Sequence, residues 1–234
     1  MFLGHFAVAM AAKRAGPAMS LGTLFAAAQW PDLLWPVLLL LGVERVSVAP
    51  GDTAFTPLRF DAYPVSHSLV ATLGWAMAGG LLWWLLRRDG RGAGLVAGLV
   101  MSHWLLDALT HRPDLQLAPW NDARVGLGLW NSVPATMALE LLLFAAGVWG
   151  WLRVAGVRPR RRVAAWSLVA FLLVIYLMNV FGSPPPSAAA VAWVTLSMWL
   201  LVAWAWAADR AGAPEASRAG RPSEGRRMHR PSDG

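Results

Sequence analysis

Apolar residues in this chain fall in long blocks and do not alternate with polar ones. Long apolar runs lie at about 20–42, 65–86, 93–111, 133–153, 163–182 and 189–208, each roughly the 17 to 25 residues that a membrane-spanning helix needs. They predict six spans. Gly90 supplies a tight turn between the second and third, and Pro184-Pro185-Pro186 enforces a break between the fifth and sixth. Ahead of them, residues 1–12, MFLGHFAVAMAA, make an apolar stretch of about half a membrane width, closed by Lys13-Arg14 and Gly16-Pro17. The positive charges follow this run, whereas a secretion signal carries them in front. A half-length or re-entrant helix that carries His5 inward is expected instead, covered by its neighbours because it is too short to stand alone in lipid.

Polar residues break these blocks at few places, and those places carry the chemistry. In Met101–His111 of the third run, His103, Asp107 and His111 recur every fourth residue. Four residues turn a helix by about 400°, so the three lie on one drifting stripe, each about 6 Å above the last. Leu105, Leu106, Ala108 and Leu109 face lipid or packed helices, so the polar atoms must find partners inside the protein. The stripe reads either as the core of a buried metal site or as a hydrogen-bonded pair that ties helices together. Inserting an Asp at the centre of a spanning helix costs about 2.5 to 3.5 kcal/mol, so each buried acid needs a partner. Asp32 lies mid-span, bracketed by Pro31 and Pro36, each of which removes a helical hydrogen bond near the carboxylate. Glu140 lies about two turns into the fourth span. His67, in Ser66-His67-Ser68, is expected in the first turn of the second span. Alone it reads as a capped surface residue. Together with His5, Asp32, His103 and Asp107 it allows three imidazoles and two carboxylates to gather in one pocket.

Composition narrows the class. With 57% apolar and 14% charged residues and a mean hydropathy of +0.47 over 234 residues, the chain is expected to be an all-α, polytopic membrane helix bundle. The embedded domain is expected over 1–208, with the metal site within 1–140 and a disordered, basic cytoplasmic tail over 209–234. The chain has no cysteine, which excludes disulfides, thiolate zinc sites and thiol nucleophiles. A net charge of +7 would suit nucleic acid, but the basic residues follow a topology. With the N-terminus inside, sixteen of the twenty Lys and Arg fall on inner segments, and only Arg45, Arg59, Arg112 and Arg124 lie outside. A bacterial-type inner membrane with both termini cytoplasmic is expected, with membrane lipids as partners and no nucleic-acid binding. The tail arginines are expected against anionic lipid, and His229, in that tail, is left out of any site. Of fifteen tryptophans, Trp83, Trp84, Trp149, Trp151, Trp204 and Trp206 fall near inner helix ends, as interfacial anchors do.

Imidazole and carboxylate together suit zinc first, with manganese or iron as alternatives. Two ions are possible, bridged by Asp107, with His5 on one and Asp32, His67 and His103 on the other. Zinc lowers the pKa of its water toward about 7, which gives a nucleophile without Ser or Cys. Two further stretches bear on substrate. Gly126–Ser132 leads into the fourth span, where Asn131 or Glu140 can hold substrate or a metal water, and Glu140 is, with Asp32, a candidate catalytic acid; the stretch itself reads first as a loop with a helix cap at Asn131 or Ser132. His111-Arg112 lies at the exit of the third span, where Arg112 can clamp a phosphate or anchor the helix at the headgroups.

Gly4-His5-Phe6, Pro31-Asp32, Ser66-His67-Ser68 and Ser102-His103-x-x-x-Asp107 resemble the YdjM-like family of bacterial inner-membrane proteins, described as membrane-bound metal-dependent hydrolases. The likeness covers about residues 1–155. The ligand order is also similar to that of the zinc-dependent phospholipase C and nuclease superfamily. That likeness implies Asp32, His67, His103 and Asp107 around one metal, with His5 and Asp107 at another. No later His-x-x-x-Glu pair follows, so one or two ions are expected and not three. The resemblance implies a hydrolase of a phosphoester or another lipid-derived bond near the outer face, with Asp32 as ligand or general base. A metal-ion or proton transporter and a non-catalytic scaffold with a buried His/Asp network are the alternatives, although no inverted repeat is visible.

Overall fold

The computed structural model describes residues 1–155 and 159–210. It is an all-α bundle built from α1 (Leu3–Ala12), α2 (Leu21–Ala28), α3 (Trp30–Leu40), α4 (Leu69–Arg87), α5 (Gly90–Thr110), α6 (Val133–Ala155), α7 (Pro159–Phe181), α8 (Ala188–Leu196) and α9 (Met198–Arg210). Two small antiparallel ribbons decorate the loops: β1 (Arg45–Val48) with β2 (Leu58–Ala62), and β3 (Leu115–Gln116) with β4 (Arg124–Val125). The hydropathy pattern shows these stretches only as loops.

Five helices are long and apolar enough to cross a membrane: α4, α5, α6, α7 and the continuous run Ala188–Asp209 that α8 and α9 form. Large apolar side chains stay exposed along them, including Met77, Leu86, Leu142 and Leu200. Lipid is the solvent such a surface fits, and the chain is a membrane protein. The first expected span is not one helix. It breaks at Gln29 into α2 and α3, bent by 59°. Pro31 explains the break: it brings no N–H to Ala27, and its ring would collide with that carbonyl in a continuous helix, whereas in the first turn of α3 neither matters. Pro36 is accommodated inside α3.

α1 is the half-length element the pattern calls for, and it is covered. Leu3 through Ala7, Ala9 and Met10 are buried, and α6 lies closely along it because Gly147 has no side chain. A Cβ there would fall on the backbone of Ala7. The basic residues collect at one end of the bundle. Lys13, which donates to the Met19 carbonyl, ion-pairs with Asp209 of α9 at 2.6 Å. Arg14 and Arg153 both lie over the Trp149 ring, and Arg87 and Arg88 over Trp83 and Trp84. These tryptophans sit at helix ends as expected, but Trp151 is fully buried in the core and Trp204 lines an internal cavity. Asp209 and Arg210 belong to α9, so the helix runs past the expected start of the tail. The tail from 211 to 234, with its arginines and His229, and Arg158 of the inner loop lie outside the described residues. The opposite end carries the ribbons and long loops, and the His/Asp residues face it.

Candidate metal centre

Three segments build the centre of the site, and α1 joins them. α5 presents His103 and Asp107 one turn apart, α3 presents Asp32 in its first turn, and His67 arrives from the loop just before α4. Helix α4 starts at Leu69, with Ser68 as its cap accepting from the Ala71 N–H. His67 therefore precedes the helix and does not lie in its first turn. Free of helical geometry, it turns its ring inward and is buried.

The atoms that could bind a cation face one another. Asp32 Oδ1 lies 3.3 Å from His67 Nε2 and 3.7 Å from His103 Nε2, while Asp107 Oδ2 lies 3.1 Å from His103 Nε2 and 3.9 Å from His67 Nε2. Ligands at about 2.0 to 2.1 Å around a tetrahedral ion stand roughly 3.3 Å apart, and the four separations bracket that value. His103 Nε2 is buried and, despite its nearness to Asp107, makes no hydrogen bond among the described residues. Its other nitrogen, Nδ1, lies 2.8 Å from the Ala28 carbonyl. A carbonyl only accepts, so Nδ1 carries the proton, and in the neutral ring that a metal requires the lone pair is on Nε2, aimed at the carboxylates.

His67 is set in the same way by a relay absent from the sequence reading. Buried Glu44 accepts the Val65 and Ser66 N–H groups at Oε1, both at 2.8 Å, and the Ser66 hydroxyl at Oε2, at 2.6 Å. Having given its one proton to Glu44, Ser66 Oγ must accept from His67 Nδ1, 2.6 Å away. In the neutral ring that a metal requires, the lone pair is then on Nε2, the nitrogen 3.3 Å from Asp32 Oδ1. Glu44 belongs to a stretch that reads as an outer loop. Its only sequence signal is an acid directly after an apolar run, and surface acids share that signal.

His5 joins from α1. Its Nε2 lies 3.1 Å from Asp107 Oδ1, its ring stacks on His103 with centroids 3.7 Å apart, and its buried Nδ1 has no partner among the described residues. The Met1 amino group lies 2.6 Å from the same Asp107 oxygen. Two overlapping triads thus offer metal-ligand spacing, Asp32–His67–His103 and His5–His103–Asp107. A neutral imidazole has one available lone pair, so His103 can serve only one ion. Asp107 links the triads, with Oδ2 toward His67 and His103 and Oδ1 toward His5.

The other expected site residues are placed elsewhere. Glu140 Oε2 accepts from the N–H groups of Phe2, Leu3 and Gly4 at 3.0, 2.5 and 3.3 Å. It caps the free donors and positive end of α1, and so positions the helix that bears His5. His111 leaves the stripe because α5 ends at Thr110 and His111 adopts an extended backbone. Its Nδ1 hydrogen-bonds Asp114 at 2.9 Å, and its ring packs on Trp130. Burial pushes the His111 pKa below its ordinary value. Burial opposes ionisation of Asp114, yet hydrogen bonds from His111, Tyr63 and Arg112 hold its carboxyl below the ordinary range. Arg112 pairs with Asp52 at 2.7 Å and Asp114 at 3.1 Å, which ties two loops together and occupies its guanidinium. Asn131 is exposed in a 3-10 turn at Leu129–Asn131.

A cavity of about 670 Å³ reaches the cluster, with Asp32, His67 and Asp107 on its floor and α7, α8 and α9 along its sides. Asn179 of α7 is exposed and lines it. No protein-family model matches the chain, and neither a curated protein nor a solved structure matches it.

Proposed function

We propose that this protein is a membrane-bound metal-dependent hydrolase with one divalent ion, zinc before manganese or iron, held by Asp32, His67, His103 and Asp107. One observation carries the reading: buried or half-buried ligand atoms of four residues on three segments face one another at separations of 3.1 to 3.9 Å, with both imidazole rings held by partners on their far sides. Such an ion acidifies a water and polarises a bond to oxygen. The chain's own part is to hold and orient. Asp32, with 24% of its side chain accessible against 2% for Asp107, is the carboxylate more open to the cavity and the better placed to accept a proton there. Glu140, committed to α1, positions His5. A second ion beside His5 would have to displace the Met1 amino group from Asp107.

The reading extends the resemblance to YdjM-like inner-membrane proteins, with a phosphoester or another lipid-derived bond as the target. The basic end of the bundle faces the cytoplasm under the positive-inside rule, which puts the end of α9 inside and the site toward the outer face; Met1, buried against Asp107, lies at the site and not at the cytoplasmic end where it was expected. Metal content tests it first, in detergent-purified protein beside His103→Ala and Asp107→Asn variants matched for melting temperature. About one equivalent of zinc or manganese in the wild type, lost from both variants, is the expected result. Metal-free wild type after reconstitution with excess zinc refutes it. The broken α2–α3 span favours a second reading, since discontinuous helices at a buried carboxylate also serve ion transporters. Zinc flux into sealed proteoliposomes, abolished by Asp32→Asn, would establish that reading instead.

A further inference from the structure

The cavity has walls made from one stripe of each of two helices. On α7 the lining residues are Phe171, Ile175, Tyr176, Met178 and Asn179, with Gly182 just past its end, along one helical face, and on α8–α9 they run from Ala190 through Val194 and Leu201 to Trp204. At 1.5 Å per residue these stripes extend about 16 and 21 Å, against roughly 15 Å for one leaflet of a 30 Å hydrocarbon core. Their volume of about 670 Å³ lies within the ~300 to 1,000 Å³ typical of small-ligand sites.

On the loop side, aromatic side chains pack across the cavity. Phe55 donates its N–H to the Trp130 carbonyl at 2.9 Å, its ring stacks on Trp130, and it reaches Tyr176 of α7. Phe60 and His111 pack on the same indole. Sideways, by contrast, the walls are exposed: Met178 and Val194 keep 67% and 71% of their surface although both line the cavity. The two helices are joined through Pro184-Pro185-Pro186, which cannot continue either one, and Pro185 and Pro186 themselves line the gap. An apolar slot of leaflet length, open toward lipid and ending on buried carboxylates and imidazoles, suits one kind of occupant.

We propose that the gap between α7 and α8–α9 is a lateral lipid site, in which one acyl chain of a bilayer phospholipid lies along the two stripes with its polar end at Asp32 and His67. Binding stands on the cavity alone. What happens to the lipid there rests on the hydrolase reading.

The test is photocrosslinking in nanodiscs of phosphatidylethanolamine and phosphatidylglycerol, doped with a phosphatidylglycerol that carries a diazirine on its acyl chain. Peptide mapping should find label concentrated on the inner stripes, at Phe171, Met178, Val194 and Leu201. Met178→Trp and Val194→Trp, on opposite walls at exposed positions, should each cut that label at least about tenfold by filling the slot. Leu142→Trp, on the exposed face of α6 away from the cavity, should leave it unchanged. Label scattered evenly over exposed apolar faces of the wild type, or retained on the stripes in both wall variants, overturns the proposal. The wild-type map decides the matter even if a variant fails to fold. Metal content of the same samples separates the two claims. Stripe labelling without metal would refute the hydrolase and keep the lipid site, whereas bound metal with scattered label would refute the lipid site alone.

Discussion

Replacing Glu44 by Gln removes one charge and no volume, and its consequence can be followed atom by atom. Glu44 accepts three hydrogen bonds, from two backbone N–H groups and the Ser66 hydroxyl. In the Glu44→Gln variant the amide oxygen can keep the two N–H groups, and the NH2 then faces Ser66 Oγ as a donor. The reverse orientation would set the NH2 against two backbone donors, so it is excluded. Ser66, obliged to accept from the amide, turns its proton toward His67 Nδ1. That moves the ring proton to Nε2, where an N–H points at the cation position in place of a lone pair. Loss of an outer partner to a metal-binding His typically lowers metal affinity about 10- to 100-fold, or about 1.4 to 2.7 kcal/mol. Losing the charge from hydrogen bonds worth about 1.5 to 3 kcal/mol each also lowers the melting temperature, but leaves a folded protein because all three contacts keep a partner. The assay is a zinc titration against a competing chelator in detergent, with nitrogen NMR of the His67 ring to report its tautomer. A folded Glu44→Gln protein with wild-type zinc affinity, or with the proton still on Nδ1, refutes the relay.

Gly147→Val should destabilise the protein by about 1 to 3 kcal/mol, since its Cβ meets the Ala7 backbone and α1 must move. Gly98→Ala, in open space on α5, should gain up to about 1 kcal/mol from helix propensity, and thermal unfolding distinguishes the two. Glu140→Leu should release the first turn of α1, seen as faster amide exchange at Leu3 and Gly4, and unchanged protection there would refute the capping role. The pH dependence at His111 follows from burial, which lowers its folded pKa. The folded ring stays neutral while the unfolded ring takes up a proton near pH 6.5. Its contribution is therefore complete above about pH 6.5 and declines as the pH falls toward the folded pKa. The stability margin of wild type over His111→Phe should shrink from pH 7.5 to pH 5.5, at roughly up to 1.4 kcal/mol per pH unit. A margin that grows over that range would show that the buried ring is charged.

The sequence by itself determined the class of fold and most of the cast. Block-like hydropathy fixes spanning helices because lipid allows no unpaired backbone, and the lone ionisable residues inside those blocks, His5, Asp32, His103 and Asp107, draw notice because burying them is costly. The four-residue step also fixes that His103 and Asp107 share a face, since helical geometry is local. Tertiary structure decided what local rules cannot reach. Whether Pro31 bends a span or starts a new helix depends on what packs around Gln29, and the answer is a 59° break. His111 keeps the same spacing, but α5 ends one residue before it and sends it to Asp114. Glu140 looks like a catalytic acid from its depth alone, yet its partners are backbone groups 136 to 138 residues away in sequence. Glu44 could not be singled out, because a buried loop acid and a surface one are written alike. Only the folded chain brings it to Ser66 and gives His67 its tautomer. A hydropathy pattern states which side chains leave water, and the meeting of distant segments states what each one finds there.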